Sequence, residues 1–447
     1  MSSAEELLAI SPLDGRYASK TKPLQEYFSE YALIRYRVFV EWSYLRWLLS
    51  LPLPGKDFGH LLSRLPEPEE RFRSFSLTQA LRVKELENLT NHDVKAVEYL
   101  VREELRNIGL EEAESWVHFG LTSQDVNNVA VPLALRDFCR QHLYPALLDL
   151  VTLLRQYAAA WNRYPMLART HGQPASPTRL GKEIRVFAVR LQVQLRGLQK
   201  LPFAAKFGGA TGNFNAHFAA FPQLPWHQLA DKFITDFGLV RSHPTTQIEH
   251  YDTLAAWCQN LSRICTILMD LCQDIWLYVA LDYFRQTTRE GEVGSSAMPH
   301  KVNPIDFENA EGNLGIARAL FEHMAMKLPI SRWQRDLTDS TVLRNLGVPV
   351  GHLWIAIQGV QQGIRKLRVN TTALKADLQN HPEVVTEAYQ TILRREGLRE
   401  AYEMLRDFTR GKTVTLQMLH TFVDSLPVND QVKAELKRWA PHRYLGR

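Results

Sequence analysis

Between Leu254 and Val279 apolar residues return with a seven-residue period. Leu254, Leu261, Leu268 and Ile275 hold one place in the repeat, Cys258, Cys265, Cys272 and Val279 a second, and Trp257, Ile264, Leu271 and Tyr278 widen the stripe. A strand repeats every two residues, so this period belongs to an α-helix. The stripe is too wide for a two-stranded coil, and it predicts a helix surrounded by other helices. At 1.5 Å per residue the segment spans roughly 40 Å. Asp270 and Asp274 within its most apolar part argue against a membrane span.

Similar long patterns run from Pro145 to Tyr164, Leu180 to Leu201 and Phe307 to Lys327. Gly312 and Gly315 in the last each cost about 1 kcal/mol against alanine in a helix, and close helix–helix approach is the expected reason for them. No series of alternating β-branched runs joined by turn signals is present, no G-x-G-x-x-G follows a strand and there is no P-loop. The expected fold is therefore all-α. It divides into an N-terminal helical domain over 1–113, a central bundle of long helices over 114–365 and a C-terminal helical domain over 366–447. In the last, Asn380 or Pro382 opens a helix and Gly397 closes one.

The three cysteines of the long helix are seven residues apart, about 10 Å along an axis, which is too far to share one metal. With Cys139 they read as buried apolar residues of a reduced, cytoplasmic protein. The N-terminus, MSSAEELLAISPLDGRY, contains acids and lacks the apolar run of a signal peptide. Across 447 residues, 53 Lys and Arg stand against 48 Asp and Glu, a net charge of +5. So mild and diffuse a charge suits small anions and gives no footprint for nucleic acid.

Four polar clusters interrupt the helical background. In GLTSQDVNN, Thr122 with Asp125 three residues later reads as a capping box, which alone accounts for it. The same helix start offers N–H groups to an anion, with Thr122 and Ser123 beside them. RTHGQPASPTRLGKE holds His171 and Gln173 in a non-helical loop between prolines, where a histidine is a surface hydrogen-bonder or a proton carrier. GEVGSSAMPHKVNPIDFEN sets Ser295 and Ser296 on a glycine-hinged loop ahead of Lys301 and Asn303. A plain surface loop seldom carries that combination. In RWQRDLTDSTVLRN, Asp339 or Ser340 would cap a helix bearing Arg344 one turn along, with Arg335 nearby. That is a phosphate cradle or a solvated charged face.

GSSAMPHKVNP resembles the loop motif of the fumarase/aspartase superfamily, and TSQDVNN and THGQPASPT resemble its other shared regions in the expected order. SPLDGRY, NHDVKAVEYL, KFGGATGNFNAH and NPIDFEN are most similar to the adenylosuccinate lyase family of the longer bacterial kind. The resemblance covers nearly the whole chain and implies anti elimination of fumarate from adenylosuccinate and SAICAR, without metal or cofactor. It implies Ser295 as base and His171 as general acid. Lys301 and Asn303 would hold the carboxylate on which charge develops, and Ser296 would bind substrate from the same loop. Arg16, Tyr17, Arg335, Ser340 and Arg344 would grip the phosphate and ribose, while Asn91, His92 and Asp93 line the nucleotide end. His92 supports either His171 or the phosphate. Thr122, Ser123 and Gln247 would bind the succinyl carboxylates, and Asn309 contacts substrate or orders the loop. The family further implies a homotetramer around a helical core, its sites shared between subunits. The nearest rival, another lyase of the superfamily such as argininosuccinate lyase or fumarase, has no use for a phosphate-binding set. A non-catalytic structural protein on this scaffold would not require both His171 and Ser295.

Overall fold

Helices make up most of the chain in the computed structural model, which describes residues 3–287, 298 and 300–446. The four long patterns form helices Tyr144–Trp161, Leu180–Lys200, Asp252–Ala280 and Ile305–Lys327, and Glu30–Ser50 and Gly347–Lys366 are of similar length. In Asp252–Ala280 the residues Leu261, Leu268, Ile275, Cys258, Cys265 and Cys272 are all buried, and Leu254 and Val279 at the ends are half-buried. All four cysteines are free and buried. Burial pushes the Cys139, Cys258 and Cys265 thiols up to about 12, so they are inert apolar filling. Among the described residues no helix is long and apolar enough to cross a membrane.

The chain forms two units. The first comprises Met1–Leu147, Gln194–Thr266 and Gly312–Ile357; the second comprises Leu148–Val193, Ile267–Glu311 and Gln358–Arg447. In the first unit, helix Glu30–Ser50 starts where the Ser29 hydroxyl accepts the Ala32 N–H, and it packs on Leu77–Thr90, Asp93–Asn107 and Ser123–Phe138. Trp42, Val97 and Leu105 lie in one apolar cluster on that helix, and Tyr44, Val126 and Phe233 lie in another. In the second unit, Tyr389, Leu393, Leu419 and Leu436 form the core of the C-terminal helices. There the expected helix begins as a 3-10 turn at Pro382–Val385 and continues as Thr386–Arg395, with Gly397 at a left-handed φ of 89° beyond its end.

One expectation changes and another finds no partner among the described residues. Of those, none lies within 4 Å of a Cβ built on Gly312 or Gly315. Asp339 and Ser340 do not cap a helix. They lie inside the helix Thr338–Leu343, and Asp336 accepts the Thr338 N–H at 2.8 Å ahead of it.

Among the described residues three two-stranded ladders complete the fold, one of them a hairpin of Pro165–Thr170 with Gln173–Arg179.

Candidate functional site

The hairpin explains how His171 is presented. Thr170 pairs with Gln173, so His171 and Gly172 are the whole turn, at φ of 53° and 74°. A two-residue turn with both residues left-handed matches the twist of the flanking strands. His171 is exposed at its tip. Next to the turn the hairpin is held by Arg169, whose guanidinium donates to both Asp377 oxygens at 2.7 and 2.9 Å, and further along its second strand by Ser176, which donates to Glu387. Lys301, Asn303 and Asn309 belong to the same unit. Lys301 is exposed and its N–H bonds Met298 O at 3.0 Å, Asn303 is half-buried, and Asn309 is exposed on helix Ile305–Lys327. Ser295 and Ser296 lie outside the described residues.

The remaining candidates belong to the first unit. Asn91, at φ 52°, ends helix Leu77–Thr90, and His92 opens Asp93–Asn107 by accepting the Lys95 N–H on Nδ1 at 3.2 Å. Asp93 accepts from Arg37 and from Arg344, each at 2.8 Å. Burial alone would raise the Asp93 carboxyl, but Arg37, the Val94 N–H and Arg344 outweigh it and hold the group below its ordinary range. Arg37 also donates to Asn127 at 2.8 Å. Arg335 joins two candidates, donating to Gln247 Oε1 at 3.2 Å and to Ser340 Oγ at 3.3 Å, and Gln124 donates to the same hydroxyl at 3.5 Å. Arg37, Gln124, Asn127, Ser340 and Arg344 form the polar wall of a solvent-open cleft of ≈ 790 Å³. Arg16 is exposed in the turn before helix Ala18–Thr21, and Tyr17 is that helix's N-cap residue. Thr122 is the N-cap of Ser123–Phe138, and Asp125 accepts its N–H at 2.9 Å.

Arg37, Gln124 and Asn127 are polar members of this surface that local motifs did not single out. Arg37 did leave a trace, since a charge inside the apolar run ALIRYRVFVEW must find a partner when buried. The same helix carries Glu41, 2.6 Å from His118 Nδ1. Burial pushes His118 down, but Glu41, Glu98 and Asp125 together leave it above its ordinary value.

His217 behaves oppositely. It is fully buried, with Nε2 2.9 Å from the Tyr44 hydroxyl, and a Cβ on left-handed Gly120 would come within 2.7 Å of its ring. Burial is the main cause that lowers it to about 4. It is neutral in the fold, whereas the unfolded chain takes up a proton near 6.5. Its contribution is therefore complete above pH 6.5 and is lost as pH falls toward 4, by about 3 kcal/mol in all. His217→Phe should flatten the dependence of Tm on pH in that window; an unchanged slope would place the titration elsewhere.

Residues 15–318 match a family model described as lyase, and residues 331–445 match one described as adenylosuccinate lyase C-terminal. The chain belongs to the adenylosuccinate lyase family. Curated relatives named adenylosuccinate lyase include that of Dictyostelium discoideum, 48% identical with 98% of this chain and 97% of the relative covered. That of Escherichia coli K12 is 44% identical, with 99% and 97% covered. Among solved structures, a fumarate lyase from Mesorhizobium sp. BNC1 superposes with a TM-score of 0.75 at 19% identity, covering 95% of each chain. A 3-carboxy-cis,cis-muconate lactonizing enzyme from Pseudomonas putida gives 0.73 at 20% identity, covering 95% of this chain and 94% of its own. Likeness at that identity establishes the fold of this chain and nothing more.

Proposed function

We propose that the chain eliminates fumarate from adenylosuccinate, giving AMP, and from SAICAR, giving AICAR. The observation that carries this reading is near-full-length similarity to relatives of that name, including the C-terminal segment. Ser295 removes the proton from the carbon next to a succinyl carboxylate, and the electron pair spreads onto that carboxylate. The C–N bond then breaks, its electrons pass to nitrogen, and His171 supplies that nitrogen's proton. Lys301 and Asn303 stabilise the doubly charged carboxylate. Thr122, Ser123 and Gln247 hold the succinyl end. Arg16, Tyr17, Arg335, Ser340 and Arg344 hold the phosphate side, and Asn91, His92 and Asp93 the nucleotide end. Arg335 bonds both Gln247 and Ser340, which puts the residues assigned to the two ends of the substrate side by side. Purified protein given adenylosuccinate should release fumarate, and given argininosuccinate should not. The reverse result would move the chain to another activity of the superfamily.

The active form in this reading is a cytoplasmic homotetramer built on the long helices of 114–365. Val186, Val189 and Val193 on Leu180–Lys200 and Trp276 and Leu277 on Asp252–Ala280 are exposed apolar residues, which suits contact with another copy. Gly312 and Gly315 support the same assembly: their helix cost finds no return among the described residues, and an approaching helix from a second copy supplies one. Gly315→Leu should therefore break the tetramer into smaller species in sedimentation velocity. Intact tetramer with a Tm raised by helix propensity alone would mean that the glycine faces solvent.

A further inference from the structure

Asp125 and Lys206 are both fully buried and 2.8 Å apart. Capping needs only one carboxylate oxygen and no cation. Here Asp125 Oδ2 accepts the N–H groups of Thr122 at 2.9 Å and Gly209 at 3.0 Å, while Oδ1 accepts Gly208 N–H and Lys206 Nζ, each at 2.8 Å. Lys206 Nζ also donates to Gly209 O at 2.5 Å. One carboxylate thus ties the Thr122–Ser123 turn to the glycine loop that follows Lys206.

That loop is held on its far side as well. A Cβ on Gly212, at φ 81°, would fall 2.3 Å from Thr245 O, so only glycine lets the loop lie against the segment leading to Gln247. Gln247 Nε2 donates to Ala210 O at 3.0 Å. From Gln247 the bonds continue through Arg335 to Ser340 and return to Gln124, the chain neighbour of Asp125. The result is a circuit of hydrogen bonds closed through the backbone at Gly209–Ala210 and Gln124–Asp125, with the ion pair at its buried side.

Charge gives the pair a second consequence. An unpaired aspartate in the first turn of Ser123–Phe138 would oppose any anion at that helix start, and burial would leave it unscreened by water. Lys206 cancels it. We propose that Asp125 and Lys206 are positioning residues for the succinyl carboxylate: the pair holds Thr122, Ser123 and Gln247 in register and keeps the helix start free of net negative charge. The inference rests on the reading that Thr122, Ser123 and Gln247 take that carboxylate.

Fumarate probes the succinyl end and AMP the nucleotide end, so their inhibition constants against adenylosuccinate turnover separate the two. Lys206→Gln should raise the constant for fumarate about tenfold and that for AMP much less. Adding Asp125→Asn should restore the fumarate-to-AMP ratio to within about threefold of the parent, since the unpaired charge is gone and the donors remain. A structural defect would weaken both ligands and would not recover on a second substitution. Equal weakening, or no recovery in the double variant, overturns the inference. Should Lys206→Gln fail to fold, the double variant decides alone: a parent-like ratio supports the pair, and a selective loss of fumarate overturns it. Ser123→Ala is the control. If it leaves fumarate inhibition unchanged, the carboxylate reading falls and takes the inference with it. If it weakens fumarate while Lys206→Gln does not, only the inference falls.

Discussion

Ser295→Ala should lower kcat by about 10²–10⁴-fold while adenylosuccinate still binds. The proton to be removed sits on a carbon next to a carboxylate, so it is weakly acidic, and the negative charge it leaves must be stabilised at once. A serine hydroxyl is itself a poor base, and it can serve only as an alkoxide in a dry, donor-rich surrounding. Alanine removes the oxygen and leaves the rest of the substrate contacts intact, so the loss belongs in kcat rather than in the dissociation constant. The isotope test is sharper than the rate. In deuterated water the parent enzyme exchanges the abstracted proton of adenylosuccinate whenever the carbanion returns, and Ser295→Ala should not. A variant that retains near-parent kcat, or that still exchanges, would transfer the base role to another group.

What the sequence made legible follows its physics. The seven-residue seam at 254–279 fixes a helix because periodicity is a local property, and the other long helices begin and end within a few residues of their patterns. The hairpin carrying His171 was legible only as a loop. Its second strand contains Pro174 and Pro177, which cannot donate to a ladder and so mask the strand pattern. The ion pairs that hold the first unit's polar groups together were not legible at all. Arg344 meets Asp93 across 251 positions, and Lys206 meets Asp125 across 81. A single sequence shows that a buried charge needs a partner but does not say which one. The same limit left the partner of Gly312 and Gly315 open, since a helix pattern does not reveal whether the neighbour comes from the same chain. For the candidate site, motifs supplied the residues; their grouping at Gln247, Arg335 and Ser340 is a product of tertiary structure.

His171 should be tested with asparagine before alanine. At φ 53° a Cβ-bearing residue is strained, and asparagine tolerates that conformation better than alanine does. His171→Asn therefore keeps the turn and removes the titratable ring. Alanine removes both the ring and a favourable turn residue, and its loss mixes chemistry with loosening of the hairpin. If His171 is the general acid, the asparagine variant should lose about 10²–10⁴-fold in kcat, because an unprotonated amine anion is a very poor leaving group. Proton abstraction precedes that step, so this variant should still wash deuterium into unreacted adenylosuccinate, where Ser295→Ala should not. The two variants thus fail on opposite sides of one carbanion. A parent-like rate in His171→Asn would pass the acid role to another histidine, with His92 tested first. A loss of both turnover and exchange would make His171 part of the proton-abstracting apparatus instead, and the division of labour between the two residues would have to be reversed.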